Sequence, residues 1–123
     1  MRLCHSNAVL RSTAMKQLGQ FVSEWRAQWM EGKPDFGRFE RQLHERVMDI
    51  ERELLAEELA RYDVTAKQIE VEGKMYRSTL RSSETYMSAA GPITVTRNLY
   101  RPSGRGSRSI CPLELQAGII RGY

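Results

Sequence analysis

Residues that commonly build metal sites and disulfides are scarce in this sequence. Its 123 residues include only two cysteines, Cys4 and Cys111, and two histidines, His5 and His44. The cysteines do not form a C-x-x-C pair, and their spacing from the histidines is not that of a zinc finger. One alternative is a metal site made by Cys4, His5 and Cys111, but two separate reduced thiols are the simpler interpretation. The sequence therefore favours neither a disulfide scaffold nor a zinc domain.

Long apolar runs and catalytic motifs are also missing. No segment approaches the roughly 18–20 apolar residues of a membrane span, and the short basic start is not followed by the apolar stretch of a signal peptide. We therefore expect a cytoplasmic chain without a membrane partner. The segment "GRGSRS" lacks the Gly-Lys-Ser/Thr ending of a P-loop, and no nucleophile–base arrangement stands out. The residues alone predict no catalytic residue, no metal ligand and no cofactor in this chain.

Positive charge is distributed unevenly along the chain. Residues 1–73 have 11 Lys/Arg against 13 Asp/Glu, a net of −2, and residues 74–123 have 8 against 2, a net of +6. Seven of these last eight basic residues are arginine, whose planar guanidinium can bond two phosphate oxygens at once. The asymmetry indicates a polyanionic partner for the second half, although a solvated basic face would give the same count.

The first half of the chain has the periodicity of two helices. Apolar residues recur at steps of three and four, predicting a first helix from an N-cap at Asn7 to Glu31. Gly32 and Pro34 end it, and Asp35 is expected to cap a second helix that reaches about residue 62. We predict a helical hairpin over residues 1–62. The second helix also suggests a homodimer or coiled coil through its apolar stripe, which consists of Phe36, Phe39, Leu43, Val47, Ile50, Leu54 and Leu55.

Beyond residue 63 the pattern changes to the period of two that is typical of β-strands. Turns are expected at 72–74 and 90–92, and residues 81–85 are expected to form a polar link between two hairpins. The prediction is a three- or four-stranded antiparallel meander followed by a basic loop, together spanning residues 63–109. The fold class is therefore α+β, and residues 110–123 are expected to form a junction.

The basic β region contains the candidate binding residues. Phosphate contacts need cations, and tyrosine can bond phosphate or stack on bases. Strands made soluble by arginine are the alternative interpretation. The candidate DNA-binding residues are Lys74, Arg77, Arg81, Arg97, Tyr100, Arg101, Arg105 and Arg108.

Residues 36–123, about seven tenths of the chain, resemble a known family. The similarity lies in "ERELLAEELARYDV", "EVEGKMYR", "AAGPITVTRNLYRP" and "CPLELQAGI". Together these segments closely resemble the N-terminal region of bacterial insertion-sequence transposases of the ISKra family. Residues 1–30 match less clearly.

The resemblance implies a DDE-type transposase whose catalytic domain has an RNase H-like fold and binds two divalent metals through three carboxylates. That domain lies further along the chain in the family, so no metal-binding carboxylate is assigned here. The resemblance implies a DNA-binding and assembly fragment, inactive alone, whose partner is the DNA of the transposon ends. Leu113, Leu115, Ile119 and Ile120 are then expected to begin the packing against the missing domain. The alternative is a dimerising, non-catalytic protein-interaction module.

Overall fold

The described part of the chain is a pair of helices followed by a small sheet and a short third helix. The computed structural model describes residues 2–29, 32, 35–104 and 108–119, with side chains from Thr13 onward. The strands form one antiparallel sheet in the order β1-β2-β3, which confirms the predicted α+β class and the meander. The elements are α1 (Arg2–Gln28), α2 (Phe36–Ala60), β1 (Gln68–Val71), β2 (Lys74–Ser88), β3 (Gly91–Pro102) and α3 (Pro112–Ala117).

The chain divides into two compact units, residues 1–51 and residues 52–123. In the first unit, aromatic side chains join α1 to α2. Phe21 is buried and stacks on Phe39 with ring centroids 5.8 Å apart, and the Trp25 ring lies 5.3 Å from Phe39. The Arg46 guanidinium lies 5.8 Å from the centroid of Phe21, within cation–π range. The contact between the two helices therefore depends on a few large rings.

The two predicted helix starts have different outcomes. Asp35 caps α2 as expected, because its Oδ1 accepts a hydrogen bond from the backbone N–H of Arg38 at 3.3 Å. The prediction that Asn7 caps α1 is wrong, because α1 begins at Arg2 and residue 7 lies within it. The predicted end of α1 at Glu31 falls outside the described residues.

The turn between β1 and β2 matches its sequence, but the predicted break within β2 does not exist. Glu72 and Gly73 have φ of 50° and 79°, as both central residues of a type I′ hairpin turn require. Residues 81–85 were expected to be a polar link, and this is wrong: β2 continues through them, paired in register with residues 94–98 of β3. Their hydroxyl side chains are compatible with a strand because one face of the sheet is exposed here.

The second unit has its own core between the sheet, α3 and the end of α2. Buried residues Tyr86, Ile93, Val95, Cys111 and Leu113 form it, and Ala56, Leu59, Leu99 and Ile119 pack around them. Leu113 and Ile119 were expected to pack against another domain, but they pack within this chain instead. Leu113 is fully buried and Leu115 is 61% exposed, while Ile120 lies outside the described residues.

The outer edge of β3 is closed at several points. Tyr100 and Ile110 exchange two backbone hydrogen bonds, at 2.9 and 2.8 Å. At Asn98, two residues before Tyr100, the backbone N–H donates a hydrogen bond to the Asp63 carboxylate at 3.0 Å. Near the start of β3, Pro92 has no backbone N–H to donate. Such features protect an edge strand from pairing with other chains. No helix in the described part of the chain is both long enough and apolar enough to cross a membrane.

Candidate nucleic-acid interface

The sheet register places two of the candidate arginines side by side. Arg77 of β2 and Arg101 of β3 are directly opposite each other, and both side chains are exposed. Opposite residues of an antiparallel pair lie on the same face with Cβ atoms about 5 Å apart, and like charges in this arrangement destabilise the sheet. Arg101 donates through Nε to Ser109 Oγ at 3.3 Å. Within the described residues, neither arginine forms an ion pair.

A β-bulge adds an apolar side chain to the face of this arginine pair. The register shifts between Ser78 and Leu80, so that Leu80 lies opposite Leu99. Leu99 is two residues from Arg101 and therefore lies on the same face. Simple alternation along β2 would have placed Leu80 on the other face, because it is three residues from Arg77. The extra residue at Thr79 reverses this, as bulges do when they redirect a side chain.

We use the term arginine face for the exposed residues that share this side of the sheet. Met75 belongs to it because it is two residues from Arg77, and its side chain is 45% exposed, compared with 56% for Leu80. A shallow open groove lined by Lys67, Gln68, Arg77 and Ser78 borders the face. The arginine face consists of Gln68, Glu70, Met75, Arg77, Leu80 and Arg101.

Two other candidate residues, Lys74 and Arg81, lie on the opposite face of the sheet. Lys74 is exposed and lies opposite Val71. It is one residue from Met75 and therefore lies on the other face of the sheet. Arg81 also lies on that other face, and its Nη1 forms an ion pair with Asp63 at 3.2 Å. Arg108 is exposed in the segment after β3, and Arg105 lies outside the described residues.

Arg97 and Tyr100 are buried, and their assignment to a DNA-contacting surface is wrong. They are 4% and 0% exposed. The Tyr100 hydroxyl lies 3.1 Å from the carbonyl oxygen of Val64 and 2.5 Å from that of Ala66, so it holds the segment before β1 against the sheet. The alternation of Arg97 with Ile93 and Val95 was the signal that its side chain points inward, whereas its charge alone suggested the surface.

Arg97 is the centre of a buried polar network that the sequence did not predict. Its Nε donates to the Tyr86 hydroxyl at 3.0 Å, and that hydroxyl donates to Glu114 Oε2 at 2.5 Å. Arg97 Nη2 lies 3.7 Å from Glu114 and 3.4 Å from Glu84, and Nη1 donates to Ser82. Glu114 is 2% exposed. The network therefore ties α3 to both long strands.

The ends of α3 fix the position of Glu114. Pro112 begins the helix, where a missing N–H costs nothing. Gly118 ends it with φ of 76°, and the N–H of Ile119 bonds to the Glu114 carbonyl at 2.9 Å, as in a Schellman motif. This short helix thus holds its carboxylate towards Arg97.

The network shifts the titration of its members. Burial, followed by the hydrogen bond to Glu114, raises the pKa of Tyr86 from 10.0 to about 12. Burial by itself lowers the pKa of Arg97, but its hydrogen bond to Tyr86 and the surrounding negative charge outweigh this, and the pKa is raised. Burial also raises the pKa of the Cys111 thiol, which favours its protonated form.

Neither a metal cluster nor a known relative adds to this description. Among the described residues, no group of three or more His, Cys, Asp or Glu side chains could hold a metal ion. No family model, no curated protein and no solved structure matches the chain. The arginine face is thus the candidate site on structural grounds alone.

Breaking the buried ion pair should strongly destabilise the fold. We expect Glu114→Gln to lower the free energy of unfolding by about 3–5 kcal/mol, because it leaves the Arg97 charge buried without its innermost carboxylate. Urea denaturation of the whole chain measures this. The control is Glu84→Gln, whose carboxylate is at the same arginine but has a side chain 35% exposed, and which should cost about 1 kcal/mol or less. Equal losses in the two variants would contradict the role given to Glu114.

Stability should also fall in alkali. Between pH 10.0 and about 12 the unfolded chain loses the Tyr86 proton while the folded chain keeps it. The contribution of Tyr86 to stability is therefore complete below pH 10 and is lost as the pH rises to about 12, by roughly 2–3 kcal/mol. Unfolding measured at several pH values in Tyr86→Phe should show a shallower decline, with a remainder from Tyr100 and Cys111, whose pKa values are also raised. An unchanged slope in the variant would refute this assignment.

Proposed function

We propose that this chain is the DNA-binding and assembly region of a bacterial insertion-sequence transposase, inactive in catalysis by itself. The single observation that supports this most directly is the exposed Arg77–Arg101 pair, which forms no ion pair with an acidic side chain among the described residues. Divalent-metal chemistry in such enzymes would belong to a separate catalytic domain, and no residue of this chain is given a catalytic role.

Phosphate binding would relieve the repulsion within this pair. Two guanidinium groups about 5 Å apart at their Cβ atoms can converge on one stretch of phosphate backbone, with each able to make two charge-assisted hydrogen bonds. Binding would also release counterions from DNA, which favours association at low salt. The +6 net charge of residues 74–123 adds a longer-range attraction. These contacts position DNA without reading its sequence.

Removing the arginine pair should weaken DNA binding in a way that depends on salt. We expect Arg77→Ala with Arg101→Ala to reduce affinity for any duplex by roughly ten- to a hundredfold at low salt. The slope of log affinity against log salt should fall by about 2, one for each lost phosphate contact. Mobility shift or fluorescence anisotropy over a range of salt concentrations measures both.

A matched control removes the same charge elsewhere. Arg38 and Arg41 are exposed on α2, so Arg38→Ala with Arg41→Ala should leave both the affinity and the slope close to those of the parent chain. A parent chain that does not bind duplex DNA in low salt, or binds it independently of salt, would rule out the proposed function. Equal effects of the two double variants would show that net charge, and not the arginine face, is responsible.

A second candidate function, a dimerising protein-interaction module, is favoured by the surface of α2. This helix has no fully buried residue, although it contains the predicted apolar stripe. Four large apolar side chains of the stripe remain exposed: Phe36 by 74%, Val47 by 45%, Leu54 by 40% and Leu55 by 37%. Val47 and Leu54 are seven residues apart, the repeat of a coiled-coil seam.

Analytical ultracentrifugation tests this second function. If the stripe joins two copies, the chain should sediment as a dimer at micromolar concentration, and Leu54→Lys should shift it to a monomer by placing a charge in the seam. The control is Glu45→Lys, because residue 45 lies on the opposite side of α2 from residue 54 at 100° per residue. A parent chain that is monomeric at all concentrations would exclude self-association through α2.

A further inference from the structure

The β2–β3 hairpin exposes two surfaces of very different chemistry. Towards its turn, one face presents pairs of hydroxyl groups: Ser83 with Thr96 at 3.0 Å, and Thr85 with Thr94 at 2.9 Å. All four residues are exposed. Cross-strand hydroxyl pairs of this kind are ordinary on a solvated sheet. This hydroxyl face also exposes Met87, by 79%, next to the turn, so an exposed apolar side chain is not by itself peculiar to the arginine face.

The arginine face has a different composition. Leu80 and Met75 are 56% and 45% exposed there, beside Arg77 and Arg101, which form no ion pair within the described part of the chain. Leu80 reaches this face only through the bulge at Thr79, which costs the ladder one pairing position. Met75 and Leu80 lie on either side of Arg77 along β2, so the face places apolar side chains directly beside two cations, which suits a ligand that offers both anionic and apolar groups.

We infer that the arginine face binds duplex DNA across the minor groove and bends it, with Leu80 entering between base pairs while Arg77 and Arg101 hold the flanking phosphates. This inference rests on the proposed DNA-binding function. Proteins that bend DNA from the minor groove combine arginine or lysine with apolar side chains that wedge open a base step. In DNA the apolar surface is the base stack, and the phosphates lie on both sides of the groove.

The face suits a duplex better than a single strand. Single-stranded nucleic acid is usually held by stacking bases on aromatic side chains, and the arginine face contains no aromatic residue. The tyrosine closest in sequence, Tyr76, is half-buried, lies opposite Pro102 and belongs to the other face of the sheet. An aliphatic wedge such as Leu80 gains its contact by opening a stacked step, which requires a duplex. The single acid of the face, Glu70, is expected to oppose binding slightly.

Bending can be measured on a duplex of about 30 base pairs that carries a donor dye at one end and an acceptor at the other. Its centre should contain a TA step, which is easily unstacked. We expect the full chain to raise energy transfer to a value that corresponds to a bend within about 20–90°. Leu80→Ala should abolish most of the bend while affinity falls less than tenfold, because both arginines remain. Met75→Ala should give a smaller loss.

Two further variants keep the test interpretable. Leu80→Thr replaces the wedge with a residue suited to an exposed strand, so a loss of bending there cannot be attributed to a damaged sheet. Thr85→Ala makes a comparable truncation on the hydroxyl face and should leave bending and affinity unchanged. Circular dichroism and thermal unfolding of each variant should match the parent chain, since Leu80 and Thr85 are exposed.

The outcomes separate this inference from the proposed function. Salt-dependent binding of a straight duplex by the parent chain would overturn the inference and leave the proposed function intact. Unchanged bending in both Leu80 variants would overturn the wedge, and tighter binding of a single strand of the same length would overturn the preference for a duplex. Failure to bind any DNA at low salt, with binding of an acidic polyglutamate–leucine peptide instead, would exclude the proposed function and this inference together.

Discussion

The buried ion pair between Arg97 and Glu114, joined through the Tyr86 hydroxyl, determines how the second unit is assembled. Two charges removed from water are costly unless each is paired and hydrogen-bonded, and here every buried side-chain nitrogen and oxygen of the described residues has a partner. The pair therefore specifies where α3 must lie. With Glu114 at Arg97, the helix covers the part of β3 that carries Ile93 and Val95. Arg101, further along the strand, is left uncovered.

A second consequence is that the sheet changes its buried face along its length. Alternate residues of β3 are buried from Ile93 to Arg97, and then Arg97 and Asn98 are buried in succession. Beyond that point the other face is covered, because Asn98 and Tyr100 bond to Asp63, Val64 and Ala66 of the segment that precedes β1. One hairpin thus packs against α3 on one side and against a loop on the other, and each cover leaves the opposite face exposed.

Local features of the fold could be predicted from the sequence because they depend on neighbouring residues. The Asp35 cap, the Glu72–Gly73 turn and the alternation in β3 are set by positions at most a few residues apart. The partners of Arg97 could not be predicted in this way, since Glu114 lies 17 residues away and a charge does not specify its partner. The candidate site was predicted in part. Arg77 and Arg101 are exposed together. Leu80 belongs to the same face only because of the bulge at Thr79, which the sequence does not predict.

The bulge at Thr79 has a consequence for how related chains should be compared. In the half of β2 before Thr79, the odd-numbered residues, such as Arg77, lie on the side of the arginine face. In the half after Thr79, the even-numbered residues, such as Leu80, lie on that side. A change of one residue in chain length at this point would exchange the inward and outward side chains of one half without altering any of them. Chain length at residue 79 is therefore as informative as residue identity about the surface that this sheet presents, and an alignment that places a gap elsewhere in β2 would assign its side chains to the wrong faces.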